Sequence, residues 1–261
     1  MIMHHHNFTY LNTRNHYTKI LIKAAGSSSF HVALSAGMAE RLRIMYNAQK
    51  TFTVSNAVFC IRDEIPINKQ RKTIRTVGFI SNISAQKGIF EFIDLMTSIN
   101  AERYPLQGQI AGPFQDSCVK HDVYKRLAQM LNVEYVGPKF GSAKNDFFRH
   151  IDLLVFPTHY LNEAEPLIVL EAMSHGVPII AYGRGCIPEI IDADCGIIVD
   201  AEKDFVPAAL EQIKSWLLNP SAFEAASRAA AHKFFEIYVQ NNKRWVELLK
   251  NLFDDTSIRY V

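Results

Sequence analysis

Two glutamates, Glu163 and Glu171, stand eight positions apart in the stretch Glu163-Ala164-Glu165-Pro166-Leu167-Ile168-Val169-Leu170-Glu171, which runs on to Gly176. Pro166 suits the first position of a helix, and Gly176 the position just past its end. The spacing predicts a short helix over 166–175, with Glu163 in the loop ahead of it and Glu171 in its second turn. The N–H groups and positive dipole end of such a helix suit a phosphate. Pro166 has no N–H, so those contacts would fall to Leu167 and Ile168. Glu171 could then hydrogen-bond paired hydroxyls such as a ribose offers, and Glu163 a polar group attached beyond the phosphates. On spacing alone, Glu163 and Glu165 read equally well as solvated charges that favour the helix dipole.

Two further loops bear on the choice. Residues 77–89 read as a strand followed by a polar turn, in which Lys87-Gly88 opens a helix. A lysine there can reach a diphosphate as a point charge, and Gly88 permits close backbone approach, although lysines at loop ends are usually just solvated. Residues 182–189, with Gly183 and Gly185, again join a strand to a helix near a proline. Two glycines could bring amides to an anion or simply make a tight turn. Three such loops on one sheet edge carry more weight than any one of them.

The elements that must position these loops alternate along the chain. Strand-like runs at 76–80, 106–110, 133–136, 153–156, 177–181 and 196–199 are followed by helical periods at 91–99, 123–131, 144–148, 166–175, 188–191 and 205–218. Repeated strand–loop–helix units predict an α/β fold with a doubly wound parallel sheet, which binds ligands at the carboxyl ends of its strands. Ser221 is the expected N-cap of a helix over 222–235, and Trp245, Leu248, Leu249 and Phe253 stripe a final helix. Ahead of the main unit stand a helical segment at 17–24, a strand at 31–35, a helix at 36–46 and a strand at 51–55. The charged stretch 61–72, with Pro66, reads as a loop.

Composition excludes several classes. With 48% hydrophobic and 21% charged residues, the 261-residue chain is an ordinary globular protein. Its net charge of +2 and scattered basic residues disfavour nucleic acid as a partner. Cys60, Cys118, Cys186 and Cys195 show no zinc spacing and read as reduced thiols, which points to the cytoplasm. No apolar run approaches the roughly 18 residues of a membrane span. Peripheral association with the inner membrane face stays open.

Taken together, the residues resemble the retaining GT-B glycosyltransferases of family four, in which two carboxylates lie eight positions apart. The resemblance runs from about His31 to Trp245. It includes Ala33 to Leu42, Ser55-Asn56-Ala57, Ile110-Ala111-Gly112-Pro113, Tyr135-Val136-Gly137-Pro138, and Glu171-Ala172-Met173 through Gly176-Val177-Pro178. It implies that Glu163 contacts the donor sugar, Glu171 the ribose and Lys87 the diphosphate, with Gly88, Ala164, Glu165, Leu167, Ile168 and Gly185 around them. The turn through Gly137 would border the base. Where the family usually has Gly-Arg ahead of Lys-Gly, this chain has Ser81-Asn82, so Asn82 stands in place of a phosphate cation.

The resemblance also implies a domain division. Residues 1–60 would be a remnant of an amino-terminal acceptor domain and hinge, 73–240 the Rossmann-like nucleotide-sugar domain, and 241–261 a helix crossing back. One of His4, His5 or His6, with His5 as the candidate, would answer to a cleft-facing histidine, although three adjacent histidines also resemble a tag fragment or a weak metal site. The implied reaction transfers a sugar from a nucleotide diphosphate donor to a hydroxyl of a carbohydrate or lipid-linked acceptor, with retention, no cofactor and no metal. The alternatives are a nucleotide-sugar-binding module without turnover, and one that needs a partner chain to supply the acceptor domain. An epimerase or hydrolase on the same fold would need a further acid–base set, which the sequence lacks.

Overall fold

The computed structural model describes residues 1–60 and 71–254. It contains two parallel sheets. The smaller consists of β1 (Ile2–His4), β2 (Phe30–Ala33) and β3 (Lys50–Thr53), in the order β1-β2-β3. The larger contains β4 (Thr76–Ile80), β5 (Gln107–Ala111), β6 (Val133–Tyr135), β7 (Leu153–Phe156), β8 (Ile179–Tyr182) and β9 (Gly196–Val199). Its order is β6-β5-β4-β7-β8-β9, every pairing parallel, so the doubly wound expectation holds. The direction of winding reverses between β4 and β7, which opens a crevice at their carboxyl ends. Strands β7 and β8 are buried at every position, as expected where helices cover both faces of a sheet.

The small sheet carries α1 (Thr9–Asn12), α2 (His16–Ala25) and α3 (Ala36–Tyr46). Helix α3 begins where the Ser35 hydroxyl accepts a hydrogen bond from the Met38 N–H at 3.1 Å, and it ends at Asn47 in the left-handed region. Around the large sheet stand α4 (Ile89–Ala101), α5 (Ser117–Leu127), α6 (Ser142–His150), α7 (Leu167–Ser174), α8 (Ile187–Ile190) and α9 (Phe205–Leu218). One face of that sheet packs Phe79, Phe92, Ile93 and Ile110 against Phe205, Ile213 and Phe223. The other face joins Phe148, Phe156, Leu170 and Met173 to Leu34, Met38 and Leu42 of the small unit, so one apolar core spans both sheets.

Three local expectations are corrected. The final two helices are one, α10 (Pro220–Asp254), because no glycine or proline interrupts the run after Pro220. Its start is capped by Asn219, whose side-chain oxygen accepts from the Ala222 N–H at 3.3 Å, so Ser221 is not the N-cap. Pro166 is the extended N-cap of α7 and Leu167 its first residue. The loop expected over 61–72 lies outside the described residues except for its last two positions, and there Arg71 is buried.

Helix α10 ties the two sheets together. Its later turns reach the small sheet, where Leu248 packs with Phe30, Val32 and Val54, and Trp245 meets Phe59 edge-on at 5.9 Å. The side chain of Asn241 accepts a hydrogen bond from the Ser55 N–H at 2.9 Å. Among the described residues no helix is long and apolar enough to cross a membrane.

Candidate functional site

The crevice at the switch point is a cavity of about 950 Å³. Its wall takes residues from the loop after β4 (Ser81, Asn82, Lys87), from the segment leading into α6 and its first turn (Lys139, Lys144) and from the loop and start of α7 (Glu163 to Ile168, and Glu171). His6 and Asn7 of the small unit also line it, as do Asn56 and Cys60 of the connecting 3-10 turn (Asn56–Phe59) and its end.

Lys87 closes a 3-10 turn, Ala85–Lys87, and Gly88 follows with φ +84°. A side-chain carbon at Gly88 would collide with the carbonyl of Pro157, so only glycine lets this turn lie against the end of β7. That approach carries Lys87 to the carboxylate: its Nζ lies 2.6 Å from Glu163 Oε2. The Thr158 hydroxyl donates to the same oxygen at 3.1 Å, and the rings of Tyr160 and Phe156 sit 4.7 and 5.9 Å from the ammonium. Glu163 is only 7% exposed, and this lysine and hydroxyl are the partners its buried oxygen finds.

Gly185, at φ +55°, packs against the backbone of Glu163 and Ala164, where a side chain would strike both carbonyls. The Cys186 N–H donates to the Ala164 carbonyl at 2.8 Å. The loop 182–189 thus props the Glu163 segment from outside the cavity. Glu165 turns away from solvent as well: it is 6% exposed, and its Oε2 accepts the Asn56 N–H at 2.5 Å. Burial pushes its carboxyl up to about 7, against the opposing hydrogen bonds from Ser55 and Asn56. This carboxylate joins the connecting turn to the loop before α7.

Leu167 and Ile168 begin α7 inside the cavity wall, and no side chain caps the N–H groups there. Glu171, further along α7, meets Lys144 of α6, with Nζ 2.5 Å from Oε2. Burial raises the Glu171 carboxyl, and Lys144 opposes that shift. Asn82 is exposed at the cavity rim. Gly137, at φ +78°, accepts the Gly112 N–H through its carbonyl at 3.1 Å, and the cavity is lined instead by 139–142 just beyond it.

His5 is placed differently from the expectation of a cleft histidine. It is 5% exposed, with Nε2 3.1 Å from His31 Nδ1 and Nδ1 2.7 Å from the Tyr10 hydroxyl. Burial, with the neighbouring histidines, lowers it to about 4. Alternation beyond β1 puts His6, not His5, at the cavity.

Sequence reasoning missed Thr158, Cys60 and Lys144 as site residues. Asn56 stood within a quoted match, which was its signal. Lys144 was read only as part of a helix, because its partner lies on another element far along the chain.

A six-stranded parallel sheet with this switch-point cavity, beside a second parallel sheet, defines an α/β protein of GT-B architecture. Residues 61–233 match the family described as glycosyl transferases group 1, and the chain belongs to that family. It is 27% identical over 165 residues to D-rhamnosyltransferase WbpZ of Pseudomonas aeruginosa, covering 61% of this chain and 40% of that one. It is 26% identical over 181 residues to an uncharacterized 41.2 kDa protein in the cps region of Klebsiella pneumoniae, covering 66% and 46%. The chain therefore spans less than half the length of these curated relatives. Among solved structures, a mutant of S. aureus TarM in complex with Fondaparinux, alpha-GlcNAc-glycerol and UDP matches with a TM-score of 0.74 at 17% identity, over 95% of this chain and 50% of that one. Anabaena Alr3699/HepE in complex with UDP matches with the same TM-score and identity, over 96% and 72%.

Proposed function

We propose that this chain binds a nucleoside diphosphate sugar in the switch-point cavity and takes part in transferring the sugar to a hydroxyl of a carbohydrate or lipid-linked acceptor, with retention of anomeric configuration. The observation that carries the reading is the convergence of Lys87, Glu163 and the uncapped start of α7 on one cavity. UDP in the TarM and HepE complexes supports a nucleoside diphosphate as the ligand.

The chemistry follows from charge. As the bond between sugar and diphosphate opens, negative charge gathers on the leaving phosphate and positive charge on the anomeric carbon. Lys87 and the amides of Leu167 and Ile168 meet the first. Glu163, beside them, orients the sugar and offsets the second. Free cysteines at Cys60, Cys118, Cys186 and Cys195 support a reducing compartment, and we place the protein in the cytoplasm, in reach of the inner membrane face for a lipid-linked acceptor.

A second reading is that turnover needs a partner chain. The GtfA/B complex, which matches with a TM-score of 0.71 at 15% identity, supports it. Donor hydrolysis and transfer assays with the chain alone, then with a supplied amino-terminal half, separate the two. Turnover by the chain alone would end the second reading, and no turnover even after supplementation would end the first.

A further inference from the structure

We propose that Lys144 is a positioning residue for nucleotide binding: from the first turn of α6 its ammonium holds Glu171, across the cavity wall on α7, as a carboxylate directed at the ribose. This rests on the functional reading above, in which Glu171 meets the ribose hydroxyls.

The argument starts from what surrounds Glu171. Lys144 Nζ approaches Oε2 at 2.5 Å, and both side chains are about one-fifth exposed, at 23% and 22%. The pair is therefore screened by water less than a surface ion pair, and each partner matters more to the other. From the connecting turn comes the Cys60 thiol, which lies in the fields of Glu171, Glu165 and Lys144, and burial pushes it up to about 12. It is neutral and supplies no charge. From the end of α7 itself, His175 directs Nδ1 to the Glu171 backbone carbonyl at 2.8 Å. Glu165, on the loop before α7, is an acid with its own partners on Asn56. Among these neighbours, Lys144 is the group that opposes the upward shift burial gives the Glu171 carboxyl.

Ionisation matters because of what a ribose presents. Two adjacent hydroxyls donate two hydrogen bonds, and a carboxylate accepts both with charge assistance. A protonated carboxyl turns one oxygen into a donor and loses that match. Lys144 meets Glu171 through Oε2, and both residues line the cavity. An ordinary helix-surface lysine would have no such consequence.

The test is calorimetric titration of the full chain with UDP and, separately, with inorganic pyrophosphate, which has no ribose, at pH 8 and pH 5.5. Phosphate titration is common to all variants and cancels in the ratio to wild type. Lys144→Met is expected to lose more UDP affinity relative to wild type at pH 5.5 than at pH 8, by up to about tenfold, the ceiling that one unit of carboxyl shift sets. Lys144→Arg should restore the wild-type profile, and pyrophosphate should show no extra fall. In a Glu171→Gln background, Lys144→Met should add no pH dependence. Equal pH profiles for Lys144→Met and wild type would overturn the inference, as would an equal extra fall with pyrophosphate, which would place Lys144 on the phosphates. Wild-type chain that binds neither UDP nor GDP would overturn the functional reading itself, whereas binding that ignores Lys144 would sink this inference alone.

Discussion

Lys87 and Glu163, 76 positions apart, share an ion pair of 2.6 Å that joins the loop after β4 to the loop before α7. Neither residue is readily replaced while the other remains, because a buried charge left alone costs several kcal/mol in effective desolvation. Lys87→Ala is expected to weaken UDP binding by roughly tenfold or more, because in the proposed site the ammonium that pairs with Glu163 also meets the diphosphate. Glu163→Gln should leave UDP affinity within about threefold of wild type, because UDP lacks the transferred sugar that Glu163 would meet, while abolishing most transfer. Titration of both variants against UDP, with a transfer assay on the complete enzyme, checks the division.

Arg71 holds the ends of two helices at once. Its guanidinium donates to the carbonyls of Phe148 at 2.6 Å, Ile151 at 2.8 Å and His175, which close α6 and α7, and its own N–H donates to Ser227 of α10 at 3.1 Å. Burial lowers this group to about 10, and it remains charged at neutral pH. Arg71→Ala would strand several buried carbonyls, and a loss of about 3 kcal/mol in urea unfolding is expected. Arg71→Lys should recover only part of it, since an ammonium cannot span the same fork.

Two buried groups give opposite pH dependence. His5 sits below its unfolded value, at about 4, so protonation favours the unfolded chain and its contribution is lost as pH falls from about 6.5 towards 4. Glu165 sits above its unfolded value, at about 7, so its contribution is fully present below about 4.5 and is lost as pH rises through 7. Each is worth on the order of 3 kcal/mol. Urea midpoints measured from pH 4.5 to 7.5 should therefore rise with pH more steeply in Glu165→Gln than in wild type, and less steeply in His5→Gln. Identical slopes in the three proteins would refute both assignments.

Glycines at positive φ are not equivalent. Gly137, at φ +78°, has open space where a side chain would stand, whereas Gly88, at φ +84°, has the Pro157 carbonyl. Gly137→Ala should cost only the backbone term of about 1–2 kcal/mol. Gly88→Ala is expected to cost more and also to reduce UDP affinity, because relief of the collision moves Lys87. Thermal melting and UDP titration of the two variants make the comparison.

Much of this arrangement was legible in the sequence. Strands 76–80, 153–156 and 196–199 and helices 36–46 and 205–218 were read with the bounds the structure shows, because buried parallel strands and amphipathic helices leave distinct periods. The single helix α10 was not, since the polar run Gln240-Asn241-Asn242-Lys243-Arg244 imitates a boundary. At the site, local spacing made Glu163, Glu171 and Lys87 visible. The burial of Arg71, the pairing of Lys144 with Glu171 and the hold of Asn56 on Glu165 depend on contacts between distant segments, which no local pattern records. His5 and His6 were separated only by the phase of β1, which three identical residues conceal.

The central claim is that the switch-point cavity is a nucleoside diphosphate site. Calorimetric titration of the wild-type chain with UDP and GDP, repeated with Lys87→Ala and Glu171→Ala, tests it most directly. Saturable binding of one nucleotide, weakened roughly tenfold or more in each variant, is the result expected. No binding of either nucleotide, or binding that both substitutions leave unchanged, would contradict it.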